Sequence, residues 1–171
     1  MAEQKNPIVE LARAAVENYI GYGKIIVPTD LAEELREKAG VFVSIKKHGQ
    51  LRGCIGTFEP TKPSVAEEIV SNAISSATSD PRFDPIRVSE LDDLQYSVDI
   101  LTKPEPVSSP NELDPDVYGV IVESGFKKGL LLPDLEGVTT ADEQIRICKM
   151  KAGISDDEPI KLYRFLVRRY K

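Results

Sequence analysis

Two apolar runs separated by a short polar turn constrain this chain more than any other feature. Val41, Phe42, Val43, Ser44 and Ile45 have strand character, His48-Gly49 makes a turn, and residues 51–55 return as a second strand. Such a hairpin is antiparallel, because parallel neighbours need a long crossover between them. The hairpin follows a helix with clear boundaries. Asn6 can cap that helix and Pro7 suits its first turn. Ile8, Leu11, Ala12, Ala15, Tyr19 and Ile20 recur at the spacing of one buried stripe, and Gly21 and Gly23 end the run. Residues 31–38 read as a short second helix closed by Gly40.

The rest of the chain continues this irregular interleaving. Ser64-Val65-Ala66-Glu67 is a capping-box sequence, and Ala66, Ile69, Val70, Ala73, Ile74 and Ala77 form the inward stripe of the helix it opens. That helix stops near Asp80, because Pro81 disfavours a helical residue before it. Residues 80–85 form a stiff, charged loop. Residues 95–101 alternate as a strand. Residues 103–115 hold Pro104, Pro106, Pro110 and Pro115 without a regular repeat, and read as a connecting loop. Residues 117–123 and 129–132 read as two strands joined around Ser124-Gly125. Thr140-Ala141-Asp142-Glu143 opens a last helix with Ile145, Cys148 and Ala152 on one stripe and Gly153 as its stop. Residues 160–170 close the chain as one long strand. The pattern predicts an α+β fold, not a regular doubly wound sheet, with no linker long enough to divide residues 1–171 into independent domains.

Composition narrows the function classes. A net charge of −6 argues against a general polyanion binder, so no nucleic acid is expected as a partner. No apolar run approaches the length of a membrane span, and no secretory apolar region follows Met1-Ala2-Glu3-Gln4-Lys5. Two cysteines and one histidine exclude a disulfide framework, an all-Cys/His zinc site and a self-contained iron–sulfur cluster. The expectation is a cytoplasmic protein with reduced thiols, no assigned cofactor and no assigned metal.

The segment Leu51-Arg52-Gly53-Cys54-Ile55-Gly56-Thr57 is the most unusual stretch. On a regular strand Arg52 and Cys54 point to one face, and a guanidinium beside a thiol favours the thiolate. Gly53 and Gly56 leave room for a ligand or another backbone. Cys54 is therefore a candidate nucleophile or redox thiol, although a cysteine on a strand is also a small buried apolar residue. His48, the only histidine, belongs to the hairpin turn and is expected to be exposed there, which disfavours a Cys–His hydrolase, although a carboxylate could serve as the base instead. Asp80, Arg82, Asp84 and Arg87 form a second polar cluster, either held ready for a ligand or simply paired at the surface. Phe126-Lys127-Lys128-Gly129 lacks phosphate-loop spacing and reads as a turn. In the closing run, Arg164, Arg168 and Arg169 alternate with aromatics. They read as charges that discourage edge-to-edge strand pairing, with base stacking as the rival account.

The run Leu51-Arg52-Gly53-Cys54-Ile55-Gly56 resembles the signature of the AMMECR family. Asp80-Pro81-Arg82-Phe83, Tyr118-Gly119-Val120, Gly129-Leu130-Leu131-Leu132-Pro133 and Lys151-Ala152-Gly153 are similar to other parts of the family pattern, in the same order. The sequence departs from it at Asp134-Leu135, where members often carry glutamine, and in having no tryptophan. The resemblance implies one α+β domain, mainly an antiparallel sheet flanked by helices, with two closely packed subdomains and the signature near the cleft between them. It also implies possible MEMO-like and radical-SAM protein partners. It carries over Arg52, Gly53, Cys54, Gly56, Asp80, Arg82 and Phe83 as signature positions, without an established activity.

These readings leave competing functions. The first is an accessory or binding module with a cleft lined by the signature. The second is a small enzyme using Cys54 as nucleophile or redox thiol on an anionic substrate, with Arg52 as anchor and Asp80 and Arg82 orienting it. In either case Gly53, Gly56, Asp80, Arg82 and Phe83 are the candidate ligand-binding positions.

Overall fold

A computed structural model describes residues 5–171; the first four residues, on which the reading of the N-terminus partly rests, lie outside it. The chain is α+β, with helices and two antiparallel sheets. It forms two compact units: the described residues up to Ile100 together with Arg168–Lys171, and Leu101–Val167.

The first unit contains α1 (Pro7–Tyr22), α2 (Glu33–Arg36), β1 (Val41–Lys47), β2 (Gln50–Thr57), α3 (Val65–Thr78), β3 (Leu94–Leu101, the last residue of which belongs to the second unit) and β8 (Val167–Tyr170, entering at Arg168). Its sheet runs in the order β2-β1-β3-β8. The Asn6 side chain accepts from the Ile8 amide at 2.9 Å, and Gly23 closes α1 in the left-handed region. Ser64 caps α3 by accepting from the Glu67 amide at 3.2 Å. Ala12, Ala15 and Val16 of α1 and Ile69, Val70 and Ala73 of α3 form one core with Val41, Val43, Ile45 and Val98 of the sheet. The sheet therefore buries one face against two helices, which sets the alternation along β1. At the hairpin turn His48 and Gly49 both have positive φ, 51° and 77°, the geometry of a tight two-residue turn. Only one helical turn of the predicted 31–38 helix forms.

The second unit contains β4 (Glu105–Val107), β5 (Gly119–Ser124), β6 (Lys127–Leu131), α4 (Ala141–Ala152) and β7 (Lys161–Phe165), with the sheet order β4-β7-β5-β6. Ile145 and Cys148 of α4 pack on Val120, Val122, Leu131 and Leu162. Thr140 caps α4 and Gly153 ends it.

Two expectations are corrected here. The predicted loop over 103–115 contains β4, with Pro106 opposite Tyr163, on the outer edge of the sheet, where a missing amide donor is tolerated. The predicted long closing strand is two strands, β7 and β8, in different sheets. Leu166 breaks it: its carbonyl accepts from the Thr102 amide at 2.9 Å, and its own amide donates to Thr102 Oγ1 at 2.8 Å. Arg164 consequently lies on an interior strand, stacked over Tyr118 at 4.4 Å, and guards no edge.

Candidate functional site

The candidate site is built on β2, the edge strand of the first sheet. Successive amides of a strand point to opposite sides, so the loop after α3 meets the outward Cys54 amide while the Ser76 hydroxyl of α3 enters on the side facing β1. The Cys54 amide donates to Asp80 Oδ2 at 2.9 Å, and the Ile55 amide to Ser76 Oγ at 2.9 Å. Ser76 Oγ lies between the strands, 2.8 Å from the Val43 carbonyl and 2.7 Å from the Asn72 carbonyl, and its single proton serves one of them at a time. One turn earlier, Asn72 Nδ2 donates to the Val41 carbonyl at 2.9 Å and to Thr57 Oγ1 at 3.0 Å. One turn earlier again, Glu68 Oε1 accepts from the Thr61 amide and from Thr57 Oγ1. Glu68, Asn72 and Ser76 are buried at a spacing of four, and Asp80 continues the series beyond the helix end. Each finds partners, as buried polar groups must.

This contact explains Gly53. A Cβ there would overlap the Ser76 carbonyl oxygen, so only glycine lets the α3 backbone approach β2 this closely. Gly56 serves the other face, where a Cβ would overlap the Phe42 ring.

Arg52 is an extra residue on β2. Ile45 pairs with Gly53 and Lys46 with Leu51, so a bulge leaves Arg52 without a partner residue and re-aims it. Its guanidinium is bound by Glu90, Nε to Oε1 at 3.0 Å and Nη2 to Oε2 at 3.2 Å, and it donates to the Asp84 carbonyl at 2.8 Å. Glu90 also accepts from Lys47 Nζ at 3.1 Å and the Arg87 amide at 2.8 Å. The Arg52 guanidinium beside it, above all, holds the Glu90 carboxyl down at about 2.

The Cys54 side chain is half-buried and aligned with Ser44 on β1, which is aligned with Ser97 on β3. Gly56, Phe42 and Asp99 form the next row of the same sheet face. Asp99 accepts a bidentate pair from Arg169, Nε at 2.8 Å and Nη2 at 3.0 Å. Burial pushes the Cys54 thiol up; a hydrogen bond with Ser44 and the charge of Arg82 pull the other way without reversing it. The expected depression of this thiol by Arg52 is therefore corrected. The bulge breaks the alternation on which it rested, Glu90 takes the guanidinium, and the cation acting on the sulfur is Arg82. His48 lies at the far turn, 3.8 Å from Asp93, with 71% of its side chain exposed.

Asp80 is the polar hub. Besides the Cys54 amide it accepts from the Arg82 amide at 3.0 Å, Arg82 Nε at 3.0 Å and Arg82 Nη2 at 2.8 Å. These bonds hold its carboxyl far below the usual range, the Arg82 side chain contributing most. The pair is asymmetric, with the Asp80 side chain 2% exposed and that of Arg82 55% exposed. It is therefore not the fully exposed pairing weighed from sequence. Arg87 meets Glu90 through its backbone amide and not through its guanidinium. Phe83, half-buried, lies under the Arg82 guanidinium at 5.4 Å. Glu90, Asp99, Ser44, Ser97 and the Glu68-Asn72-Ser76 stripe were not marked by sequence reasoning. Only the stripe had a local signal, its four-residue spacing.

Among the described residues, no group of three or more His, Cys, Asp or Glu is placed to hold a metal ion, and no helix is long and apolar enough to cross a membrane.

A two-unit α+β module with a helix seated on a glycine of an edge strand is the class that this fold and site define. Residues 9–170 match the AMMECR1 family, and the chain belongs to it. It is 54% identical to a Thermotoga maritima protein over 98% of both chains. It is 48% identical to a Clostridium acetobutylicum protein over 99% of this chain, which spans only 36% of that protein. The crystal structure of an uncharacterised Pyrococcus horikoshii protein superposes with a TM-score of 0.82 at 36% identity, covering 95% of this chain and 88% of that one.

Proposed function

We propose that this protein is a cytoplasmic binding or accessory module and that its signature segment shapes the binding surface without performing covalent chemistry. One observation carries the reading: the Cys54 thiol is pushed up by burial, and Arg52, the charge meant to activate it, is engaged by Glu90. A protonated thiol whose neighbouring carboxylates, Asp80 and Asp99, are each paired with an arginine is a poor nucleophile. What the segment offers a partner is Phe83 and the half-exposed Arg82, the guanidinium held by the Asp80 carboxylate and the Phe83 amide donating to the Asp80 carbonyl. A partner or small ligand carrying an anionic group fits that pairing. The relative in which this module is 36% of the chain supports a role alongside other polypeptide. The partners to test are the MEMO-like and radical-SAM proteins that the family resemblance implies.

The test is capture of the purified MEMO-like protein by the wild type, Phe83→Ala and Arg82→Lys, with circular dichroism confirming the fold. Capture by the wild type and its loss in both variants is expected; equal capture by all three overturns the reading. Titration of Cys54 with a thiol reagent gives the second arm. An apparent pKa above the ordinary value near ~8.5 supports the binding role, and one below neutrality restores the enzymatic alternative.

A further inference from the structure

A second feature of the first unit lies outside the signature. A cavity of about 710 Å³ opens at the start of α1 and the adjoining ends of β1 and β3. Its size is that of pockets that hold small organic ligands. Among the described residues Lys5, Arg13, Lys46 and Lys171 line it, with Glu10 as the one lining carboxylate side chain. Arg13 is paired with Glu10 at 3.3 Å and lies 4.0 Å from Glu17, so the uncompensated cations at the cavity are the three lysines. Lys5, Lys46 and Lys171 have no ion pair among the described residues. In a chain with net charge −6, such a local cationic excess is a departure from the whole.

Two further observations point to a ligand. Tyr96 lines the same cavity; it is 5% exposed, and its hydroxyl has no hydrogen-bond partner among the described residues. A buried hydroxyl without a partner is uncommon in a native fold. The Arg13 guanidinium lies over the Tyr96 ring at 4.9 Å, which holds this cation in place at the cavity wall. The start of the 16-residue α1 adds the positive end of a helix dipole.

We infer that this cavity binds a small organic polyanion, a phosphate ester or a di- or tricarboxylate, through Lys5, Arg13 and Lys46. Both chemistries present several oxyanion oxygens, and lysine ammonium groups do not distinguish them by geometry. A nucleic-acid strand is disfavoured by the acidic remainder of the surface. This site is distinct from the surface around Phe83 and Arg82 and does not depend on it.

The experiment is isothermal titration calorimetry at constant ionic strength, with inorganic pyrophosphate and citrate as separate probes and sodium chloride as the control. The proteins are the wild type, Lys46→Glu and the double variant Lys5→Glu/Lys46→Glu. Both positions are exposed, so the variants are expected to keep the wild-type melting profile. Saturable binding of either probe to the wild type, weakened at least about tenfold in the double variant, is the expected result. Preference for pyrophosphate assigns a phosphate ester, and preference for citrate a polycarboxylate. Heats no different from those of chloride, or binding equal in all three proteins, overturn the inference. Capture of the MEMO-like protein by Lys46→Glu is expected to equal that of the wild type, so failure here is separable from failure of the binding-module reading.

Discussion

Replacing Asp80 by asparagine tests the arrangement that holds the signature strand. The side chain keeps its shape and loses its charge. Four donors face the Asp80 carboxylate: the Cys54 amide, the Arg82 amide, and Arg82 Nε and Nη2. An asparagine amide can accept at one end only, so some of these lose an acceptor and the exposed guanidinium loses its counter-charge. Charge-assisted hydrogen bonds contribute about 1.5–3 kcal/mol each when lost singly, and they are not additive within one cluster. Arg82 is 55% exposed, and solvent screens its share. The resulting penalty is about 2–3 kcal/mol at pH 7. The pH dependence has a definite sign. The Asp80 pKa is depressed in the folded chain, so its contribution is complete above the unfolded value near ~3.9 and declines as pH falls toward the much lower folded value. Asparagine does not titrate. The difference between the two proteins should therefore be constant from pH 7 to 5 and shrink by about 1 kcal/mol by pH 3, to about 1–2 kcal/mol. Urea denaturation followed by circular dichroism at these pH values measures it, tryptophan fluorescence being absent. A penalty below about 0.5 kcal/mol at pH 7, or one that grows on acidification, would refute the hub assignment.

Two other perturbations follow from the same geometry. Gly53→Ala and Gly129→Ala each place a Cβ onto a helix carbonyl, that of Ser76 and that of Cys148, where no flexible side chain can yield. Each is expected to cost at least about 3 kcal/mol in thermal or urea unfolding, and a change within about 0.5 kcal/mol at either position would contradict the close helix approach. Glu90→Gln releases the charge shared by Arg52 and Lys47 and is expected to cost about 1–2 kcal/mol at pH 7. Since the Glu90 carboxyl titrates near 2 when folded, the wild type should lose this advantage progressively below pH 4.5, and a difference unchanged at pH 2.5 would count against the clamp.

The parts of the fold visible in sequence are those fixed locally. Asn6, Ser64 and Thr140 mark three helix starts, and Gly23 and Gly153 mark two ends, because a cap depends on residues within one turn. The parts that were hidden depend on distant partners. Nothing near Leu166 signals that Thr102, 64 residues earlier, takes its amide and splits the final strand. Nothing near Arg52 signals a bulge, since a bulge is a count against the partner strand. The Asp99–Arg169 pair spans 70 residues. The stripe of Glu68, Asn72 and Ser76 was local and still passed unread. Polar residues on a helix are assigned to solvent by default, and only the packing of α3 on β1 and β2 makes that face an interior one.

The two units repeat one device. In each, a strand glycine removes the side chain that would separate a helix from its sheet: Gly53 beneath α3 and Gly129 beneath α4. In the first unit this closeness is what lets Ser76 and Asp80 reach the amides of β2. The signature run is thus occupied along most of its length. Gly53 admits a helix, Gly56 admits the Phe42 ring, the Cys54 amide anchors Asp80 and Arg52 binds Glu90. Substitutions in this run will be felt as lost stability before they are felt as lost function, whatever the protein binds. Function is therefore better sought in side chains that the fold leaves uncommitted, Phe83 at one surface and Lys5 and Lys46 at the other. A binding defect there, in a protein that melts normally, cannot be attributed to a loosened β2.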